Sequence, residues 1–404
     1  MKKESNLCGT SGVFAMVFIA SMALISGVGV RGATVPEIKY VQGGGRALIY
    51  VNNPEQITAA DLGDSNYGDA AIMRATGVQG KQRCYFEHLN RTGFTIGYGI
   101  QLYNPNSTSV TVTVQGSGFE ASVQGGRPFA QMLSNYSTSG TSYTVGPGRV
   151  LWLMRQDAAV ANNTFFSGVI DFNVDGGSVT INHIAYRSFG ALDGSTTYIG
   201  YVRRIEPDGT DEARVYKGLN PNTMAIAADV DFVVGDGDPA GVLAVSYRSY
   251  DLNSGAYGSS VIRPNGWYTN IGPANNANAV ASDMFAFDMP GWGRIDPFSR
   301  SDGEGKYPNL GNWGVVYVVK GKVTNVGAKT RQLSVNLKAN PSASAAIAYR
   351  GSDGVWRSMV VSAGSNVRYY SFSVAPGSTV SYEAMFVLGG PSGGNLLQSI
   401  ALNN

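Results

Sequence analysis

Two histidines, His88 and His183, occur in the 404 residues. Any Ser-His-Asp or Cys-His arrangement must take its base from one of them. His88 stands beside Glu87 and close to Asn90, and His183 sits in the run Ile181-Asn-His-Ile184. No Gly-x-Ser-x-Gly elbow leads into a helical pattern. Cys84 lies in the apolar run Cys84-Tyr85-Phe86, the setting of an inert buried thiol. Both imidazoles with Glu87 would suit zinc by residue type, but no ligand spacing supports the set. These residues give no basis for nucleophilic catalysis.

Carboxylates offer a second route, because a glycosidase needs only an Asp or Glu pair across a cleft. Asp171 and Asp231 hold equivalent places in two similar segments. In Ile170-Asp-Phe-Asn-Val174 the apolar residues share one face. Asp171 is therefore expected on the opposite, solvent face, in a structural role. Asp229, Asp231, Asp236 and Asp238 surround Gly235 and Gly237 and form a candidate calcium set. Their spacing is not that of an EF-hand loop, and a Gly/Asp hairpin turn explains them equally well. Asp296, Asp302 and Glu304 make a looser set.

Aromatic rings supply a third kind of chemistry. Trp267, Tyr268, Trp292 and Trp313 fall in or just after a Gly-, Asn- and Pro-rich stretch at 255–312. Flat rings exposed together would complement the C–H faces of sugars, making this stretch a candidate polysaccharide-binding loop. The same rings could instead plug a sandwich end or join two domains.

The elements that must position these groups are strands. Charged residues make up only 14% of the chain, against 53 glycines and 22 tyrosines, a mix suited to strands and polar turns. No long window has an apolar face of helical period. At 43% hydrophobic the chain can bury a core. Runs at 47–51, 82–89, 98–103, 110–114 and 150–154 read as strands. Two segments recur. One, at 169–189 and again at 229–250, carries Asp-Phe, a Gly/Asp turn, an apolar run and Tyr-Arg-Ser-aromatic, and reads as strand-turn-strand. The other pairs Asn104-Pro with Val145-Gly-Pro-Gly148, and Asn325-Val with Val374-Ala-Pro-Gly377. The order A, B, B′, A′ implies duplication with rearrangement. The expectation is an all-β protein of two tandem Ig-like antiparallel β-sandwich domains, at 38–206 and 213–404. The polar stretch 206–212 is the junction and 255–312 an irregular insertion.

The first 32 residues read as a signal peptide. Lys2 and Lys3 precede an apolar core at 13–25, shorter than the ~20 residues that span a bilayer, and small residues follow. Cleavage after Gly32 removes Lys2, Lys3, Arg31 and Glu4 and leaves equal numbers of basic and acidic side chains. A neutral surface gives no basis for nucleic-acid binding. Cys84 would then be the single cysteine, so no intrachain disulfide is expected.

Tyr85-Phe-Glu-His-Leu-Asn-Arg-Thr-Gly93, Val215-Tyr-Lys-Gly218, the Asp-Phe…Tyr-Arg-Ser units and Gly311-Asn-Trp-Gly-Val-Val-Tyr317 carry a resemblance. The chain resembles exported bacterial surface or stalk proteins found beside copper amine oxidase N-terminal-like or S-layer homology modules. That resemblance implies an extracellular β-sandwich protein at the cell envelope and supplies no active site. The expected role is non-catalytic, structural or adhesive. Cell-wall polysaccharide or other envelope proteins are the partners to expect, and calcium is the one cofactor to consider. Polysaccharide binding through the aromatic loop is the second expectation, and a secreted glycosidase a distant third.

Overall fold

The computed structural model describes residues 38, 41–42, 46–51, 56–62, 69–122, 126–187, 214–219, 226–245, 250–251, 256–257, 314, 316–339, 344–389 and 396–403. The strands of the first half are β1 (Val41–Gln42), β2 (Arg46–Val51), β3 (Gln56–Thr58), β4 (Ala70–Arg91), β5 (Ile96–Tyr103), β6 (Val110–Glu120), β7 (Thr141–Val145), β8 (Val150–Val160) and β9 (Phe165–Arg187). Helix α1 (Arg127–Ser134) lies between β6 and β7. Next come β10 (Arg214–Leu219), β11 (Ile226–Asp229), β12 (Phe232–Val234), β13 (Gly241–Val245), β14 (Tyr250–Asp251) and β15 (Ala256–Tyr257). The last are β16 (Val316–Asn325), β17 (Arg331–Ala339), β18 (Ala345–Arg350), β19 (Trp356–Val361), β20 (Asn366–Val374), β21 (Thr379–Gly389) and β22 (Leu396–Asn403). The fold is all-β apart from α1 and one 3-10 turn among the described residues.

The first half is built on β4 and β9, of 22 and 23 residues, paired antiparallel along their lengths. This corrects one expectation. The described part of the 169–189 segment, 169–187, is not strand-turn-strand but lies in one continuous strand. Pairing advances from Val169↔Tyr85 through Val179↔Val78 to Ala185↔Ala70 without reversing. The register shifts between Val78 and Gly80, opposite Gly176-Gly177, whose φ values are 91° and 159°. Glycine here serves a bulge that bends the strand rather than a hairpin. One arm of β9 then pairs β6 and the other pairs β5, so a nine-stranded sheet folds round a core including Ile100, Val112, Phe172 and Ile181.

The second half has a four-stranded sheet, β13-β22-β17-β20, and a seven-stranded sheet containing β11, β16, β21, β18 and β19. Leu333, Ile400 and Leu402 of the first meet Val319, Ala384 and Phe386 of the second in one core. The second copy of the recurring segment passes from β12 in one sheet to β13 in the other. Similar sequence thus bends a strand in one half and changes sheets in the other.

The two halves share strands. β10 pairs β2 in the nine-stranded sheet, while β1 pairs β11 in the seven-stranded sheet. The cores meet as well. Cys84, Phe86, Ile170 and Phe172 face the first core, while Tyr85 and Val169, alternating with them, face the second. Helix α1 fills the junction with buried Phe129, Met132 and Leu133, and the Phe129 ring lies 4.7 Å from that of Tyr85. Its approach to β6 is close: a Cβ on Gly118 would come within 2.0 Å of the Pro128 carbonyl oxygen.

A bracket built on asparagine recurs three times. Asn104 Nδ2 donates to the carbonyls of Thr108 and Val145, its Oδ1 accepts from Asn106 N, and its own carbonyl accepts from Gly148 N. Asn325 does the same with Lys329, Val374, Gly327 and Gly377. Asn90 repeats it with Phe94, Val160, Thr92 and Asn163. Gly148, Gly377 and Asn163 have φ of 66°, 67° and 62°, the left-handed conformation that Gly and Asn tolerate best. Each bracket ties the end of one strand to the turn between two later strands, β7–β8, β20–β21 and β8–β9, that do not pair with each other.

Candidate functional site

The chain's two histidines, far apart in sequence, meet on one hydroxyl. β4 carries His88, β5 carries Tyr98 and β9 carries His183. Tyr98 Oη lies 3.1 Å from His88 Nε2 and 3.0 Å from His183 Nδ1. The hydroxyl can donate to one imidazole and accept from the other, which fits two neutral rings. Phe86 and Phe166 close round them, with the Phe86 ring 4.4 Å from that of Tyr98. His88 is 1% exposed, and Tyr98 and His183 are 0%.

Burial sets the protonation of this group. Desolvation, then the neighbouring His88, pushes the His183 pKa well below the ordinary imidazole value. Burial pushes the Tyr98 phenol up, as it does the Cys84 thiol, to which the Asp171 charge adds. His183 Nε2 has no hydrogen-bond partner among the described residues. A proton can shift within such a network, and all three of its side chains are buried. Glu87 does not join the imidazoles. It points to the other face of β4 and accepts from Tyr85 Oη at 2.7 Å.

Asp171 is not on a solvent face. It is fully buried, and both carboxylate oxygens accept from Arg83, from Nε at 2.7 Å and from Nη2 at 2.9 Å. Arg83 Nη1 donates to the Gly314 carbonyl at 2.7 Å. The alternation that suggested solvent is real, but the second face of β9 is covered by the other half of the chain. The equivalent Asp231 is exposed and accepts from Lys322 N at 2.6 Å. Asp171 and Asp231 are therefore not paired across a cleft.

Backbone amides and a lysine take up the four aspartates of the candidate calcium set. Asp229 lies 3.7 Å from Lys320 Nζ. Asp236 accepts from the amides of Ala328 and Lys329, which hold its carboxyl below the usual range. Asp238 accepts from Gly235 N, making a local turn. Among the described residues no group of three or more His, Cys, Asp or Glu is placed to hold a metal ion. Trp267, Tyr268, Trp292 and Trp313 lie outside the described residues, as do Asp296, Asp302 and Glu304 and the leader at 1–32.

An open cleft of about 720 Å³ lies beside β11, β16 and β21 and the β18–β19 turn. Asp229 and Asp231 line it, with Lys320, Arg350, Glu383 and Tyr370. Sequence patterns pointed to the two aspartates but not to the cleft, because its walls come from strands that only the sheet order brings together.

No family model and no curated protein matches the chain. Solved structures that align with it include an oxalate decarboxylase–formate complex from Lactobacillus farciminis, at 6% identity over 81% of this chain and 75% of that chain, with a TM-score of 0.12. Another is oxalate decarboxylase from Bacillus subtilis at pH 4.6, at 11% identity over 92% and 77%, also with a TM-score of 0.12. At such scores the backbones do not superpose, and the alignments assign neither fold nor activity.

Proposed function

We propose that the chain is a non-catalytic, exported protein of the bacterial envelope, serving a structural or adhesive role through sandwich-type domains. One observation carries the reading: both imidazoles are sealed in the core on the Tyr98 hydroxyl, out of reach of any substrate. The architecture supports it. Exchange of β1 and β10 between sheets and the Arg83–Asp171–Gly314 link resist separation of the two halves. A leader-like start at 1–32 and a balanced charge thereafter suit export. Envelope polysaccharides or proteins are the proposed partners.

Fractionation of producing cells tests this. Recovery in the wall or envelope fraction is the expected result. Recovery only as a free monomer in the medium, or in the cytosol, would overturn it.

A further inference from the structure

The cleft beside β16 has a charge pattern that points to a ligand. β11, β16, β21 and β18 are neighbours in that order. They present Asp229, Lys320, Glu383 and Arg350, so the signs alternate across four adjacent strands. Lys320 and Glu383 are direct register partners, Asp229 lies 3.7 Å from Lys320, and Arg350 lies 3.3 Å from Glu383. All four side chains are between 34% and 75% exposed, so each keeps unused donors or acceptors toward the cleft. Beside them Asp231 bonds the Lys322 amide. Tyr370, half-buried on β20 of the facing sheet, supplies an aromatic wall, and Ser352 and Ser381 add hydroxyls.

Three acidic and three basic side chains line the cleft, so it offers no net Coulomb attraction to an anion or a cation. Its volume is that of a small-ligand site. Neighbouring strands stand about 4.8 Å apart, so donor and acceptor groups alternate at roughly that interval. A pyranose chain presents hydroxyls, each able both to donate and to accept, at a comparable repeat. Its C–H faces are apolar enough to lie on a tyrosine ring. We propose that this cleft binds a neutral oligosaccharide, with Tyr370 against a ring face and the Lys320–Glu383–Arg350 row bonding the hydroxyls. A charged polymer would meet repulsion from one member of each pair.

Calorimetric titration of the full chain tests the proposal, using cellohexaose, maltohexaose and hexa-N-acetylchitohexaose as neutral probes and a galacturonate hexamer as the anionic one. Binding of at least one neutral probe is expected, with an affinity little changed by salt. Tyr370→Ala, and separately the double variant Arg350→Gln with Glu383→Gln, should each weaken it about tenfold. Unchanged circular dichroism and melting in both variants will show that the fold persists. Absence of heat with all three neutral probes would overturn the proposal. Tighter binding of the galacturonate with a steep salt dependence would also do so, as would equal affinity in both variants. Fractionation tests the envelope reading separately, so either idea can fail without the other.

Discussion

Arg83 and Asp171 form a two-pronged ion pair across β4 and β9 with neither side chain exposed, and the same guanidinium reaches the Gly314 carbonyl of the second half. Such a pair is costly to desolvate, and removing one member strands a buried charge. Asp171→Ala or Arg83→Ala should therefore destabilise by about 3–5 kcal/mol. The double variant Arg83→Met with Asp171→Leu should lose much less. Urea unfolding midpoints measure all three, and equal losses in the single and double variants would contradict this account.

The asparagine brackets make a second set of expectations. Asn325→Ala removes the donor shared by two carbonyls and the acceptor of one amide, and Asn104→Ala the donor shared by three carbonyls and the acceptor of the Asn106 backbone and side-chain amides. A loss of about 2–4 kcal/mol is expected for each, at roughly 1 kcal/mol per bond. Gly148→Ala forces a Cβ into the left-handed region, at φ 66°, and should cost about 1–2 kcal/mol. Asn163→Gly, at φ 62°, should be nearly neutral by the same reasoning. Thermal denaturation of the four variants ranks them.

His183 sets a pH dependence. Its folded pKa lies well below 6.5, while the unfolded chain titrates near the ordinary value. Below about pH 6.5 the unfolded state takes up a proton that the folded state refuses, so stability falls as pH falls. It is constant with respect to this group above that value. The slope should approach 1.4 kcal/mol per pH unit between about pH 6 and the folded pKa. Chemical denaturation from pH 8 to pH 5 measures it, and His183→Leu should flatten the slope. An unchanged slope in that variant would assign the effect to another group.

Helix α1 holds the halves together through Phe129. Phe129→Ala should cost about 3–5 kcal/mol as a core truncation. It should also make proteolysis near the helix faster than cleavage within β16–β22.

Calcium should leave the melting temperature unchanged. The carboxylates of Asp231, Asp236 and Asp238 already accept backbone amides, and Asp229 faces Lys320. A clear upward shift with calcium, abolished by Asp236→Asn, would show that the ion displaces those bonds.

Strand content was legible because alternation such as Val110-Thr-Val-Thr-Val114 is set by the pleat, and Val110 and Val112 are indeed buried while Thr111 is exposed. The recurrence of the Asn104 and Asn325 segments and of their Pro-Gly turns was visible, but not the bonds that join segment to turn. The third was not, because Asn162-Asn163 replaces Pro-Gly and Asn reaches positive φ without the glycine signature. Helix α1 escaped notice because, at eight residues, it is shorter than the ~11–18-residue window over which a helical period shows. The solvent-face expectation for Asp171 failed for a related reason: alternation shows that a strand has two faces, not that one of them is wet. Nothing near His88 or His183 in sequence marked Tyr98 as their common partner, since strand pairing alone brings the three together.

The exchange of β1 and β10 bears on how the chain acquires its structure. β1 cannot complete its pairing until β11 has been made, and Arg83 waits for Gly314, 231 positions later. Contacts so distant in sequence carry a large loop-closure cost and slow the search for the native state. If the chain is exported, as proposed above, that delay favours threading it unfolded. The Arg83 link between the halves cannot close until the chain has been made as far as Gly314.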